Sequence, residues 1–296
     1  MNASERRWIE RAELDALCGE RLCDFSLDGL WVAGGLDGLA APCVAVVGTR
    51  VPSDEGRRRA RRLARDLGRA GVCIISGLAL GIDGAAHEGA LDAGAPTVGV
   101  LGGGHAHFFP PRHRDLAARI VARGGAVVSP FAPDVPAQPW QFLARNAVIA
   151  ALADAVVVVE AAARSGALNT AGHAADRNIP VLAFPGDVDR PKAAGCNALI
   201  RDGATLARDA ADVLAALRNA PVPAAAAASQ AATLLLPDDP PIVRHILDAL
   251  ADYAHDPAEL ADKLDVPPAA LFAQLTELEL AGRIVGGAGG FGIAQR

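Results

Sequence analysis

Short, uninterrupted apolar runs alternate over most of the chain with stretches in which apolar residues recur every three or four positions. The short runs are typical of strands buried on both faces of a parallel sheet, and the wider spacing is typical of helices packed on that sheet. The pattern predicts strands at 43–48, 72–76, 97–101, 126–129, 155–160 and 180–184, and helices at about 55–70, 83–93, 113–123, 141–152, 168–177 and 208–218. This alternation, with short glycine connections, predicts an α/β fold with an extended, doubly wound parallel sheet of Rossmann type.

The first of these strands ends in a turn that predicts an anion site. The run Val44–Val47 is followed by Gly48, Thr49 and Arg50, and Ser53 stands where the N-cap of the next helix is expected. Unpaired N–H groups and the dipole at a helix N-terminus attract anions, and the guanidinium of Arg50 is a fork that suits phosphate. Because ligands of such sheets bind at the carboxyl ends of the strands, we expect a phosphate-bearing ligand beside Arg50.

Two later strand ends carry small or capping residues. Ser76 and Gly77 open a second glycine loop that reaches Asp83, and two interpretations of it stay open: a tight turn with an N-cap, or a second anion-binding nest. Ser165 and Thr170 are placed to cap the helix that follows the fifth strand. No G-x-G-x-x-G motif follows the first strand and no acid follows the second, so the sequence predicts no dinucleotide cofactor. It predicts no metal site either.

The two ends of the chain depart from the central pattern. One amphipathic helix is expected from Ser4 to Cys18, and an edge hairpin or loop from Leu30 to Ala41. Near the other end, three stretches with helical spacing precede a glycine-rich hairpin, as in a winged helix-turn-helix. The predicted units are a short helical or irregular segment at 1–40, a Rossmann-type domain at 41–218, an Ala/Pro-rich linker at 219–236 and a small winged-helix domain at 237–296.

Charge is divided unevenly along the 296 residues. The formal net charge is −6, and residues 238–296 alone hold ten acidic and four basic residues, so the tail carries the whole net charge. This balance argues against a non-specific nucleic-acid coat. The five cysteines form no C-x-x-C pair, which predicts reduced thiols. Without a signal peptide or a membrane-length apolar run in the sequence, we expect a soluble, cytoplasmic protein with no membrane contact.

Aromatic and cationic residues are interleaved between 104 and 146. The aromatic ones are Phe108, Phe109, Phe131, Trp140 and Phe142, and the cationic ones are Arg112, His113, Arg114 and Arg145. Cations beside aromatic rings at loop positions supply the phosphate neutralisation and base stacking that a single-stranded nucleic-acid groove needs. The alternative is that the rings only pack on the flank of the sheet. The seven arginines of helix 55–70 are interpreted as a solvated helix face.

The order of the motifs along the chain is more specific than any single motif. The succession is Val47-Gly48-Thr49-Arg50, Ser76-Gly77-Leu78-Ala79, Gly81-Ile82-Asp83, Ala86-His87, Phe109-Pro110, Arg145-Asn146, Val159-Glu160-Ala161, Ser165-Gly166-Ala167-Leu168, Pro185-Gly186 and Gly195-Cys196-Asn197. It resembles the DprA (Smf) family of DNA-processing proteins over about 27–217. The winged-helix tail is similar to that family's usual C-terminal module.

The resemblance implies a non-catalytic protein that binds single-stranded DNA, protects incoming strands and loads RecA recombinase in natural transformation, displacing single-strand binding protein. It implies a homodimer formed around 196–217, and no cofactor. The family's phosphate-binding arginine corresponds to Arg50, its basic residue after the Phe-Pro pair to Arg112 or Arg114, and its aromatic-Arg-Asn segment to 142–146. The candidate DNA-binding residues are Gly48, Thr49, Arg50, Ser53, Ser76, Gly77, Phe109, Arg112, Arg114, Phe142, Arg145, Asn146, Ser165, Gly166 and Thr170.

The sequence departs from the family pattern at three positions. Leu80 and Ala147 stand where the family usually has cations, and Ala193 stands where it has a serine. The loss of two cations is expected to weaken DNA binding unless the arginines of helix 55–70 compensate.

Two other classes of function stay open. Cytokinin-activating nucleotide phosphoribohydrolases have a related fold, but their Pro-Gly-Gly-x-Gly-Thr run is missing here, where Gly102–Gly104 is followed by His105. A sequence-specific repressor would read duplex DNA with its winged helix. The recognition helix at about 268–280 has Glu277, Glu279 and no lysine or arginine, so we expect the tail to contact a protein or a neighbouring subunit instead.

Overall fold

The computed structural model describes residues 6–218, 239–252, 257–264, 266–281, 283–287 and 290–293. The chain divides into two compact units, residues 1–220 and 221–296. The linker predicted at 219–236 lies outside the described residues. In the part of the chain that is described, no helix is long and apolar enough to cross a membrane.

A nine-stranded sheet is the framework of the first unit. Its strands are β1 (Arg6–Glu10), β2 (Gly29–Gly34), β3 (Cys43–Val47), β4 (Cys73–Ser76), β5 (Thr97–Val100), β6 (Ala126–Ser129), β7 (Ala155–Val158), β8 (Val181–Ala183) and β9 (Thr205–Leu206). Their order is β1-β2-β6-β5-β4-β3-β7-β8-β9, parallel from β6 to β9 and antiparallel for β1 and β2. The six predicted strands are all present, and the predicted fold class is confirmed.

Helices cover both faces of this sheet. They are α1 (Arg11–Cys18), α2 (Asp54–Arg69), α3 (Ile82–Ala93), α4 (Arg114–Ala122), α5 (Pro139–Ala151), α6 (Gly166–Ala175), α7 (Ala194–Arg201) and α8 (Ala210–Arg218). Alternate residues of β3 serve two separate cores: Ala45 belongs to the core shared with α1, α5 and α6, and Val44 to the core shared with α2, α3 and α8. The central strand is therefore buried on both faces, as its composition predicts.

The first forty residues differ from the prediction. Residues Arg6–Glu10 form a strand rather than the first turns of a helix over 4–18, and this strand pairs with β2, which pairs with β6. Only Ile9 in β1 is buried, so the strand lacks the apolar run that marks the central strands. The segment 30–41, expected to be an edge hairpin or a loop, holds most of the single strand β2 and then a short helical turn at Asp37–Ala40, and the antiparallel partner of β2 lies before α1.

The second unit is a winged helix. Helices α9 (Pro241–Asp252), α10 (Pro257–Leu264) and α11 (Pro268–Leu280) precede two antiparallel strands, β10 (Ile284–Gly287) and β11 (Gly290–Ile293). Leu247, Leu260 and Leu275 are fully buried in a core of their own. Three helices followed by a two-stranded wing match the predicted arrangement.

The order of the strands also locates the site. β3 lies between β4 and β7, because the chain runs from β3 through β4 and β5 to β6 and then crosses to β7 on the other side. The connections that leave β3 and β7 therefore diverge at their carboxyl ends. Ligands of open α/β sheets bind in the crevice at such a switch point.

Candidate nucleic-acid interface

A cleft of about 290 Å³ opens at this switch point. Its walls come from the turn after β3, the loop that leads from β4 into α3, the first three turns of α5 and the loop that leads from β7 into α6. Nine of the predicted residues line it: Gly48, Thr49, Arg50, Phe142, Arg145, Asn146, Ser165, Gly166 and Thr170. The parallel topology thus brings together segments that are far apart in the sequence.

Arg50, Phe109 and Phe142 form a cation–aromatic group that we call the Arg50 cluster. The guanidinium carbon of Arg50 lies 5.6 Å from the centroid of the Phe142 ring, and the ring of Phe109 meets Phe142 edge-on with centroids 5.9 Å apart. Arg50 is exposed, and Phe109 is 52% exposed. A cation held over one ring beside a second, open ring can meet a phosphate and a base of the same nucleotide.

Arg145 has a different role from Arg50. It is 4% exposed, and its Nη1 donates to the carbonyl oxygens of Gly77 and Val100, where β4 and β5 end. Burial lowers the pKa of Arg145 to about 10, an effect that the nearby Asp83 opposes. Arg145 therefore joins α5 to the ends of two strands, and the structure replaces its predicted phosphate contact with this positioning role.

The loop from Ser76 to Asp83 is a packed turn. Ser76 is fully buried and its hydroxyl donates to the carbonyl of Val46 at 2.7 Å, which contradicts its assignment as a DNA contact. The backbone N–H of Ala79 donates to Asp83 at 3.3 Å. A Cβ at Gly77 would lie 2.7 Å from the Asp83 carboxylate, so Gly77 permits close packing rather than an open nest. Of the two interpretations, the structure shows the tight turn, which Asp83 closes, but not the predicted N-cap, because α3 begins after Gly81 without a side-chain cap.

The N-terminus of α2 is filled by a carboxylate of the protein itself. Ser53 caps the helix as predicted, since its Oγ accepts from the backbone N–H of Gly56 at 3.0 Å. The same hydroxyl donates to Glu160 at 2.7 Å, and the Ser53 backbone N–H donates to that carboxylate at 3.0 Å. Glu160 is 9% exposed and is the second residue after β7. The structure therefore contradicts the predicted phosphate site at this helix end, including Ser53 as a ligand contact, because Glu160 occupies it.

The N-terminus of α6 faces the cleft instead. The Ser165 Oγ accepts from the backbone N–H of Ala167 at 3.4 Å, and the next residue, Gly166, is exposed with open space beside it. Asn146 donates to the Gly166 carbonyl at 3.2 Å and so holds this turn against α5, while Thr170 is buried beneath it. The helix dipole favours an anion at this end.

Arg112 and Arg114 are exposed, but they do not line the cleft. They flank His113, whose Nδ1 lies 2.8 Å from the carbonyl of Leu78, so this turn is anchored to the loop that follows β4. Both arginines are therefore placed at the start of α4, outside the cleft. Their contact with DNA stays a prediction.

The arginines of α2 mostly face carboxylates of the protein. Five of them lie within 4 Å of one: Arg58 and Arg59 near Glu55, Arg61 near Asp92, and Arg65 and Arg69 near Asp66. These contacts fit the interpretation of a solvated, ion-paired face. Because these five arginines share only four carboxylates, the face keeps a positive balance, and compensation for the cations that Leu80 and Ala147 replace stays a prediction.

Family models identify both units of the chain. The model for DNA recombination-mediator protein A matches residues 26–218, and the model for the DprA winged helix domain matches residues 227–290. The chain belongs to the DprA family. The resemblance that the order of motifs indicates is therefore confirmed.

Known DprA and Smf proteins match over much of the chain. Protein Smf of Escherichia coli (strain K12) is 38% identical over 272 residues, which cover 88% of this chain and 70% of that protein. A putative DprA of Mycobacterium tuberculosis is 43% identical over 66% of this chain, and the match spans 50% of its own length. The chain therefore spans only about half of some of its relatives.

Two solved DprA structures share the fold. The DprA of Streptococcus pneumoniae aligns with a TM-score of 0.65 at 36% identity, over 71% of this chain and 73% of that one. The DprA of Helicobacter pylori, described for its single-stranded DNA binding mode, aligns with a TM-score of 0.63 at 25% identity, over 72% and 95%. Both family models that match the chain describe DprA domains, so the comparisons do not favour the phosphoribohydrolase alternative.

Proposed function

We propose that this DprA-family chain binds single-stranded DNA across the switch-point cleft. The observation that carries the proposal is the Arg50 cluster, in which an exposed guanidinium stands over the Phe142 ring beside the open ring of Phe109. The cluster offers phosphate neutralisation and ring faces but no base-specific donor set, so binding should tolerate any sequence. The N-terminus of α6 on the opposite wall favours a further phosphate.

The proposed role is to protect incoming strands and to load RecA recombinase on them in natural transformation, in exchange with single-strand binding protein. Membership in a recombination-mediator family supports this role, and so does the single-stranded DNA binding described for the H. pylori relative. We propose binding without catalysis, since the buried charged groups of the cleft, Arg145 and Asp83, are engaged in packing. All five cysteines are free thiols, which fits work in the cytoplasm.

We also propose a homodimer formed through residues 196–217. Strand β9 is the last strand at one edge of the sheet, and both of its residues are exposed, Leu206 to 44%. An open edge with an exposed apolar side chain can pair with a second chain. A dimer would place two clefts on one strand and raise the overall affinity without new contacts.

The test is fluorescence anisotropy of labelled oligo-dT with Arg50→Glu and a matched control, Arg123→Glu. Arg123 is exposed at the end of α4, at the opposite end of the sheet from the cleft. Arg50→Glu should bind far more weakly, and its salt dependence should flatten by about 0.7 for each lost phosphate contact. Arg123→Glu should bind like wild type. Unchanged affinity and salt slope in folded Arg50→Glu would contradict the proposal.

The loading role needs a separate measurement. The chain should accelerate RecA assembly on strands coated with single-strand binding protein, and Arg50→Glu should not. A wild-type chain that binds DNA but never accelerates assembly would contradict the loading role alone.

A further inference from the structure

We propose that Trp140 is a second base-stacking platform, which holds nucleotides of the strand beyond the Arg50 cluster. This inference rests on the proposed single-stranded DNA binding. Trp140 lies in the first turn of α5 and 61% of its surface is exposed; Leu143, one turn later, is 54% exposed. Large apolar side chains grouped in this way on a surface mark an interaction site more often than a requirement of folding.

The surrounding structure holds Trp140 in place. Its indole meets the ring of Phe131 edge-on, with centroids 5.7 Å apart and the planes at 90°. Pro139 opens the helix, and the Gln138 backbone N–H donates to the buried side chain of Gln141 at 2.5 Å, which closes the turn. A ring fixed in this way loses little conformational freedom when a base stacks on it.

Close packing fixes the segment that leads into this turn. A Cβ at Gly103 would lie 2.8 Å from Ala137, and a side chain at Gly104 would collide with the carbonyl of Ala132. The two glycines therefore let the loop before α5 lie directly on the end of β5. The packing of these glycines therefore fixes the loop that leads into the first turn of α5, where Trp140 lies.

The occupant that fits this platform is the continuation of the same DNA strand. Phe142 and Trp140 belong to one helical turn but lie about 200° apart around the helix axis, so the turn carries one aromatic pair on each side. No acidic residue occurs in the first turn of α5, and the helix dipole there favours a phosphate. A strand that leaves the Arg50 cluster across the end of α5 therefore meets an open indole beside a helix end that has no acidic residue in its first turn.

The test compares a short oligo-dT of about 4 nucleotides with one of about 16. Trp140→Ala should weaken binding of the long oligonucleotide about 5- to 150-fold and leave the short one almost unchanged. Trp140→Phe, which keeps a ring, should recover most of the affinity. The matched control is Val188→Ala, which removes a side chain that is 84% exposed on the loop after β8, and it should change neither.

Intrinsic fluorescence provides a second readout. The chain has three tryptophans, and Trp8 and Trp31 face each other on the paired strands β1 and β2 at one edge of the sheet, with ring centroids 5.5 Å apart. Long oligo-dT should therefore quench the wild-type emission but not that of Trp140→Phe, even when the variant is saturated.

The outcomes separate this proposal from the one it rests on. If Trp140→Ala binds both lengths like wild type while Arg50→Glu stays defective, the platform is refuted and the cleft stands. If wild type binds neither length, both are refuted. If Trp140→Ala changes sedimentation but not DNA affinity, the patch is a contact between copies of the chain and the platform is again refuted.

Discussion

Replacement of Phe109 by alanine should weaken DNA binding while leaving the fold nearly as stable. Full burial of such a side chain stabilises a protein by about 1.5–3 kcal/mol. Phe109 is 52% exposed, and its ring packs edge-on against the ring of Phe142. Removal of the Phe109 ring should therefore lower the free energy of unfolding by only about 1 kcal/mol. A stacked base contributes about 1–3 kcal/mol, so the affinity should fall about 5- to 150-fold.

Phe142→Ala is the matched comparison. Phe142 is half-buried and lies on Gly102, where a Cβ would be only 2.6 Å from the ring. Its removal should therefore lower both the stability and the affinity. Urea unfolding and anisotropy on one preparation of each variant measure the two effects. If Phe109→Ala loses more than about 2 kcal/mol of stability while its folded fraction binds DNA normally, the ring is part of the core and the stacking argument is wrong.

Three other predictions concern parts of the chain outside the Arg50 cluster. Glu160→Ala should destabilise the protein by about 1 kcal/mol or more in urea, because the carboxylate accepts two hydrogen bonds at the start of α2; unchanged stability would contradict this capping role. Burial lowers the pKa of His87 to about 3, whereas the pKa of a histidine in the unfolded chain is near 6.5, so the free energy of unfolding should fall as the pH drops below about 6.5. His87→Asn should lose stability less steeply over the same pH range, and a slope identical to that of wild type would refute the assignment. A fragment ending near 220 should keep most of the affinity for single-stranded DNA. The isolated 236–296 module should bind neither duplex nor single-stranded DNA, because the recognition helix of the module has no cation and Arg283 is paired with Asp239. Micromolar binding of duplex DNA by the module would revive a repressor function.

The central sheet was predictable because its strands are buried on both faces. Cys43–Val47 and Ala155–Val158 are continuous apolar runs, which leave a clear pattern in the sequence. The edge strands leave none. Arg6–Glu10 has one buried residue, and Thr205–Leu206 has two residues that are both exposed, so only their pairing in the folded sheet reveals them.

The location of the site was predictable, but the role of each side chain was not. Topology places ligands at the carboxyl ends of β3 and β7, and Arg50 is exposed there as expected. Arg145 stands in an equally promising motif, yet it is buried against two carbonyl groups supplied by other strands. Glu160 is 107 positions from Ser53, so no local pattern could show that it fills the anion site at α2.

The most direct test of the cleft as a DNA site is a crystal structure of the full chain with a short oligo-dT. We expect a phosphate within hydrogen-bond distance of the Arg50 guanidinium and a base against the ring of Phe109 or Phe142. A strand bound elsewhere, with the Arg50 cluster empty, would contradict the account.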